Sequence, residues 1–161
     1  MQAYIVKMTE GQSSGDMMTL DVMAFTSYEC AEEFALTKNK KMDELSEKYK
    51  ALPFETIDLT NRLFASYLSK TDSVFYNKLL GETSKGENEE EVEKFWQEHM
   101  KRFDVFMKDI DAVENSMRDM DVTDEEKANV RIAVEYNQYE NGLPYYHVSK
   151  SPIRVIQIDS I

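Results

Sequence analysis

Two histidines, one cysteine and a tyrosine-rich tail are the side chains of this 161-residue chain best equipped for chemistry. His99 follows Glu98 but lacks the second histidine that completes a zinc-binding HExxH helix, and one cysteine with two histidines cannot furnish a structural zinc site. No metal is expected, and His99 reads as a ring packed in a helix seam. Asp119, Asp121 and Thr123 imitate the first three ligands of a calcium loop. The imitation ends at Asp124, where the loop needs glycine, and at Val130, where it needs a bidentate glutamate. Cys30 falls in the first turn of a helix, where the dipole favours a thiolate. A nucleophile also needs a base, and neither histidine stands in a context that brings one near. Cys30 is therefore expected as a small buried residue beneath a sheet. There is no GxSxG elbow, and GQSSGD at residues 11–16 lacks the glycine-lysine pair of a phosphate loop. No catalytic residue and no cofactor follow from these patterns.

The segment EYNQYENGLPYYHVSKSPIR gathers the groups most able to recognise something. Tyrosine offers a large rigid surface with a hydrogen-bonding tip, and arginine offers a fork for carboxylate or phosphate. Tyr136, Tyr146, His147, Lys150 and Arg154 could hold a small molecule such as a nucleotide by stacking and positive charge.

The charge is a second signal. The net charge is −12, and residues 82–128 carry nine of those excess negatives, with 16 acids against 7 bases. Duplex binding works by neutralising phosphates with Lys and Arg, so direct nucleic-acid binding is not expected. An acidic face suits a partner with a basic or nucleic-acid-binding surface, or serves solubility alone. A single cysteine, no basic-then-apolar leader and no long apolar run lead to an expectation of a reducing cytoplasm and no membrane.

These residues need elements to position them. Tyr4, Val6 and Met8, then Leu20, Val22 and Ala24, alternate with other residues as strands do, predicting strands 3–9 and 17–25 joined as a hairpin. After Phe25 the period becomes helical. Thr26 with Glu29 suggests a capping box, and a helix over 27–52 ends at Pro53. Helical spacing continues over 58–80, with Asp72 able to cap a second short helix and Gly81 stopping it. Val92, Trp96, His99, Phe103, Phe106, Ile110, Val113, Met117 and Met120 form a heptad-like seam, predicting one long amphipathic helix over about 88–121. Asn88 with Glu91 looks like its capping box, and Thr123 with Glu126 like a cap for one further turn. Alternation at Val130, Ile132, Val134 and Tyr136, followed by the turn pair Asn141-Gly142, predicts strands 130–139, 144–149 and 153–159, with a helix over 124–136 as the competing reading. The expected fold is a single α+β domain: an antiparallel sheet of N- and C-terminal strands with an inserted helical region, whose first and third helices could pair as an arm.

The phrase formed by Phe25, Thr26, Ser27, Glu29, Ala31, Glu32 and Glu33, at the end of the opening hairpin, resembles the start of many small bacteriophage and bacterial proteins in which a hairpin runs straight into a capped helix. The resemblance spans about thirty residues, 3–35, and implies no catalytic residues. The small, acidic, Met-rich and Tyr-rich composition also resembles that of phage accessory proteins that bind and inhibit host factors, which suggests a phage-encoded acidic inhibitor of a host or defence protein, acting in the host cytoplasm. The leading expectation is thus a non-enzymatic protein–protein interaction module. Glu89, Glu90, Glu91, Glu93, Asp104, Asp109 and Asp111 would supply charge, and Tyr139, Tyr145, Tyr146 and Arg154 packing. The alternatives are the small-molecule or nucleotide-binding protein above and a self-assembling structural protein, a homo-oligomer built on the long seam.

Overall fold

The computed structural model describes residues 2–11, 17–139, 142–149 and 152–154. It is α+β, and the chain divides into two compact units: residues 1–50 with 139–161, and residues 51–138.

The first unit holds the sheet. Strand β1 (Gln2–Gly11) pairs antiparallel with β2 (Met17–Phe25) on one side and with β3 (Tyr145–Val148) on the other, and the short β4 (Ile153–Arg154) pairs with Gln2 and Ala3. Val6 lies opposite Met23 and Lys7 opposite Asp21, so Val22 is an extra residue that bulges β2. Residues of even number on β1 share a face with Tyr146 and Val148. Onto that face packs α1 (Tyr28–Lys50), whose Ala31 and Ala35 meet Val6, Tyr4, Phe25 and Phe34 in the unit's core. The helix is capped one residue later than predicted. The Ser27 hydroxyl, not Thr26, accepts from the Cys30 amide at 3.4 Å. Cys30 itself is exposed, against the expectation that it lies beneath the sheet. The inward stripe of α1 starts at Ala31, and the neighbouring residue is turned about 100° away.

The second unit is helical. Helix α2 (Glu55–Thr71) and α3 (Ser73–Leu80) meet at Asp72, whose carboxylate accepts from the Phe75 amide and caps α3 as expected. Gly81 ends α3 in the left-handed conformation at φ 80°, where a side chain would be strained. The predicted helix 88–121 is two helices, α4 (Glu89–Lys108) and α5 (Ile110–Asp119). Asp109 makes the break: its backbone is extended, and its carboxylate accepts from the Ala112 amide, so it closes one helix and caps the next. A heptad count is blind to such a joint, because the apolar spacing runs through it.

Helix α6 (Asp124–Asn137) overturns the strand predicted at 130–139. Both halves of a capping box are made, Glu126 amide to Thr123 hydroxyl and Thr123 amide to Glu126 carboxylate, each at 3.2 Å. Val130, Ala133 and Val134, spaced as one helix face, are the buried residues, and Arg131 reaches the Glu114 carboxylate on α5 with two bonds of 2.7 and 3.0 Å. Helix spacing and a complete cap outweigh the alternation of β-branched residues. The hairpin expected at Asn141-Gly142 falls with it, since β3 pairs with β1. Asn141, Lys150 and the stretch 155–159 of the last predicted strand lie outside the described residues. The core of this unit gathers Leu63, Phe64, Phe106, Val113, Met117 and Val130, each 2% exposed or less. Helix α4 packs within it on α2, α3, α5 and α6, which is where its seam goes.

Candidate functional site

Helix α4 begins where three backbone devices converge. Ser84 donates to the Gly86 carbonyl and accepts from the Gly86 amide, the Glu87 amide bonds Glu91 Oε2 at 2.7 Å, and Asn88 accepts from the Glu91 amide at 2.9 Å. The expected Asn88–Glu91 box is thus half made, with the Glu91 carboxylate reaching one residue further back. Gly86 is required here. At φ 155° a Cβ on it would stand 2.4 Å from that of Glu91.

Beyond this start, adjacent aromatic residues part company. Phe95 turns inward to 7% exposure and stacks on Phe75 at 4.8 Å, while Trp96 stays 42% exposed. Neighbours on a helix point about 100° apart, and here the core takes Phe95 and leaves Trp96 largely at the surface. His99 sits half-buried in an aromatic surround, 5.4 Å from Phe64 and 5.6 Å from Trp96, and burial pushes its pKa below the ordinary 6.5. In the last turns Phe106 and Met107 are both buried. Ile110, predicted in the seam, is 55% exposed beside the Asp109 break.

Val92, Trp96 and Met100 recur every four residues and line the edge left open, with Met100 at 69% exposure. Glu89 and Glu93 stand on the same side. Gly86, Asn88, Glu89, Val92, Glu93 and Trp96 line an open groove of about 590 Å³. Its lining is apolar at Val92 and Trp96 and acidic at Glu87, Glu89 and Glu93. Negative side chains in a first turn suit the positive end of the helix dipole, so the acids that stabilise α4 also make this surface attractive to cations.

The other predicted acids have separate employment. Glu91 holds the loop amide, Glu90 lies 3.6 Å from Lys94, Asp104 accepts from Lys108 at 3.0 Å, Asp109 caps α5, and Asp111 is exposed in the first turn of α5. Of the seven, Glu89 and Glu93 border the groove.

A smaller cavity of about 400 Å³ lies between α2 and α4, lined by Phe64, Tyr67, Thr71, Val105 and Arg102 among others. The Arg102 guanidinium is held by Asp72 at 2.6 Å and Glu98 at 3.0 Å with its face 4.2 Å from the Phe75 ring centre. The bond from Arg102, and then that from the Phe75 amide, keep Asp72 below the usual carboxylate range. This network fastens α3 to α4 and leaves the cation engaged on both sides.

The described tyrosine-rich residues of β3 take both faces of the sheet. Tyr146 faces α1, and its backbone is clasped by Asn39, whose amide donates to the Tyr146 carbonyl at 2.8 Å and whose carbonyl accepts from its N–H at 2.7 Å. Burial first, then Tyr139 and Glu10, raise the Tyr146 pKa. Tyr145 and His147 stack at 6.1 Å on the opposite face, beside Lys7 and Thr9. Arg154 is exposed opposite Gln2, and Tyr136 belongs to α6 in the other unit. Among the described residues no three of His, Cys, Asp and Glu gather as metal ligands, and Asp119 and Thr123 are engaged by Lys70 and by the α6 cap. No described helix is long and apolar enough to cross a membrane.

Sequence reasoning named the acids but missed the groove. The available signal was the doublet Phe95-Trp96 inside a single seam. No family model matches this chain, and no curated protein or solved structure matches it either.

Proposed function

We propose that this chain is a non-enzymatic protein-interaction module that docks a basic segment of a protein partner on the outer face of α4. The observation that carries the reading is the conjunction, in one open groove on α4, of half-exposed Trp96 and Val92 with Glu89 and Glu93, and of exposed Met100 one turn beyond Trp96 on the same helix. Tryptophan in a groove with a polar rim is the usual anchor of an interface, and methionine adapts to varied partner side chains. Residues 82–128, all within the helical unit, hold nine of the twelve excess negative charges, which steers a basic partner toward it and speeds encounter. Occupying a partner's basic surface in this way is also how an inhibitor of a host protein would act.

The test uses three synthetic amphipathic peptides of equal apolar content and positive, neutral or negative net charge. Binding is read by anisotropy against the wild type and against Glu89→Lys with Glu93→Lys. Selective binding of the positive peptide, weakened by the double reversal, supports the reading. Equal binding of all three, or indifference to the reversal, contradicts it.

A second reading, self-association through β2, has its own observation. Among the described residues β2 pairs on one side only, and Met18, Leu20, Val22 and Met23 are all more than a third exposed. Its single charge, Asp21, is tied to Lys7 on β1 at 2.8 Å. Such an edge templates strand pairing between copies. A solution mass that drops from dimer to monomer on Leu20→Lys supports it, and a monomeric wild type at all concentrations contradicts it.

A further inference from the structure

We propose that the side chain taken by this groove is an arginine or lysine laid against Trp96, and that Lys85 occupies that ring in the unbound protein as an intramolecular stand-in. The inference rests on the reading of α4 as the docking face and names what docks there.

The Lys85 ammonium lies 5.6 Å from the centre of the Trp96 ring and 5.8 Å from that of Phe95. The two rings stand at 77° to each other with centres 5.2 Å apart, so the cation sits in the corner between nearly perpendicular faces. Among the described residues this ammonium makes no ion pair, although its loop is rich in glutamate. A lysine settling on aromatic rings where carboxylates abound marks the rings, within the negative field around them, as a cation site. The backbone also holds it there. Ser84 brackets Gly86, the Glu87 amide is tied to Glu91, and the contact of Gly86 with Glu91 leaves no room for a side chain.

Trp96 keeps 42% of its surface open, so a second cation can approach it from the solvent. Guanidinium is flatter and more weakly hydrated than ammonium and stacks better on an indole. The carboxylates of Glu89 and Glu93 stand at the rim of the same groove, where they can accept its N–H bonds. An arriving arginine therefore gains what Lys85 cannot, a stacked plane with charge-assisted bonds, and lifts Lys85 off the ring. Lys85 does not line the groove, so it competes for the Trp96 ring alone and lowers the apparent affinity by the fraction of time it holds that ring.

The experiment titrates an arginine–leucine amphipathic peptide, and its lysine–leucine counterpart, into the full chain while following the fluorescence of Trp96, the only tryptophan. Lys85→Met is compared with Lys94→Met, which removes an equal charge from an exposed position of α4. The expected result is tighter binding of the arginine peptide than of the lysine peptide, with a shift in Trp96 emission. Lys85→Met should tighten binding about two- to fivefold beyond Lys94→Met, the factor that loss of one exposed cation–π contact represents. Equal effects of the two lysine variants overturn the role of Lys85. Unchanged peptide affinity in Trp96→Leu, read by anisotropy of a labelled peptide, overturns the ring as the cation site, and both results leave the acidic-face reading standing. Failure of either peptide to bind the wild type overturns that reading and this inference together.

Discussion

Truncating Phe95 and Trp96 separately should have very unequal effects on stability, although the two aromatic residues are adjacent on one helix. Phe95 is 7% exposed and stacked on Phe75, so Phe95→Ala removes a buried ring and leaves a cavity between α3 and α4. Such changes cost about 3–5 kcal/mol. Trp96 keeps 42% of its surface in water and packs edge-on against Phe95 and His99. Trp96→Ala gives up only that half-contact, for about 1–2 kcal/mol. In urea, with a slope of about 2 kcal/mol per molar, the midpoints should fall by about 2 M and by less than about 1 M respectively. Far-UV circular dichroism is the assay, because Trp96→Ala removes the fluorophore. Where Phe95→Ala does not fold, Phe95→Leu should still cost more than Trp96→Leu. A larger loss for Trp96 than for Phe95 would refute the inward placement of Phe95, and with it the groove.

Three further outcomes are expected. His99 has a lowered pKa in the folded chain, so the unfolded chain takes the proton first: stability is unaffected well above pH 6.5 and falls as pH drops through and below it. His99→Gln should flatten unfolding midpoints measured across that window. Thr123→Ala should cost about 1 kcal/mol in chemical unfolding and Thr123→Ser should restore it, because the hydroxyl caps α6; indifference to both would argue against the helix start. Gly86→Ala should cost about 2–3 kcal/mol and speed amide exchange at Glu87 and Glu91, because the new Cβ meets the Cβ of Glu91, which side-chain rotation cannot move, and forces the loop backbone off the helix start.

Legibility in the sequence tracked how local the signal was. The opening strands, the Asp72 joint and the Gly81 stop depend on a few consecutive residues and stand where local chemistry put them. Asp109 defeated the heptad reading because a cap can sit inside an apolar repeat without breaking its spacing. At Val130 to Tyr136 two periods coexist, and the arbiter is the complete Thr123–Glu126 box just upstream, whose residues alone would suit a single turn equally well. Of the site, the acids could be named from composition. Which of them line a groove could not, because that depends on Gly86, on Asn88 and on which of Phe95 and Trp96 the core admits. The arrangement of the tyrosine-rich tail was hidden for a related reason: alternation on β3 sends Tyr146 and His147 to opposite faces.

The most direct test of the docking face is a titration of the positively charged amphipathic peptide at low and high salt, followed through Trp96 emission. A saturable emission change, with affinity that falls as salt rises and is weakened in Glu89→Lys with Glu93→Lys, is the result that docking on α4 predicts. Emission that stays flat through the titration, or binding that ignores both salt and the reversed charges, would contradict it.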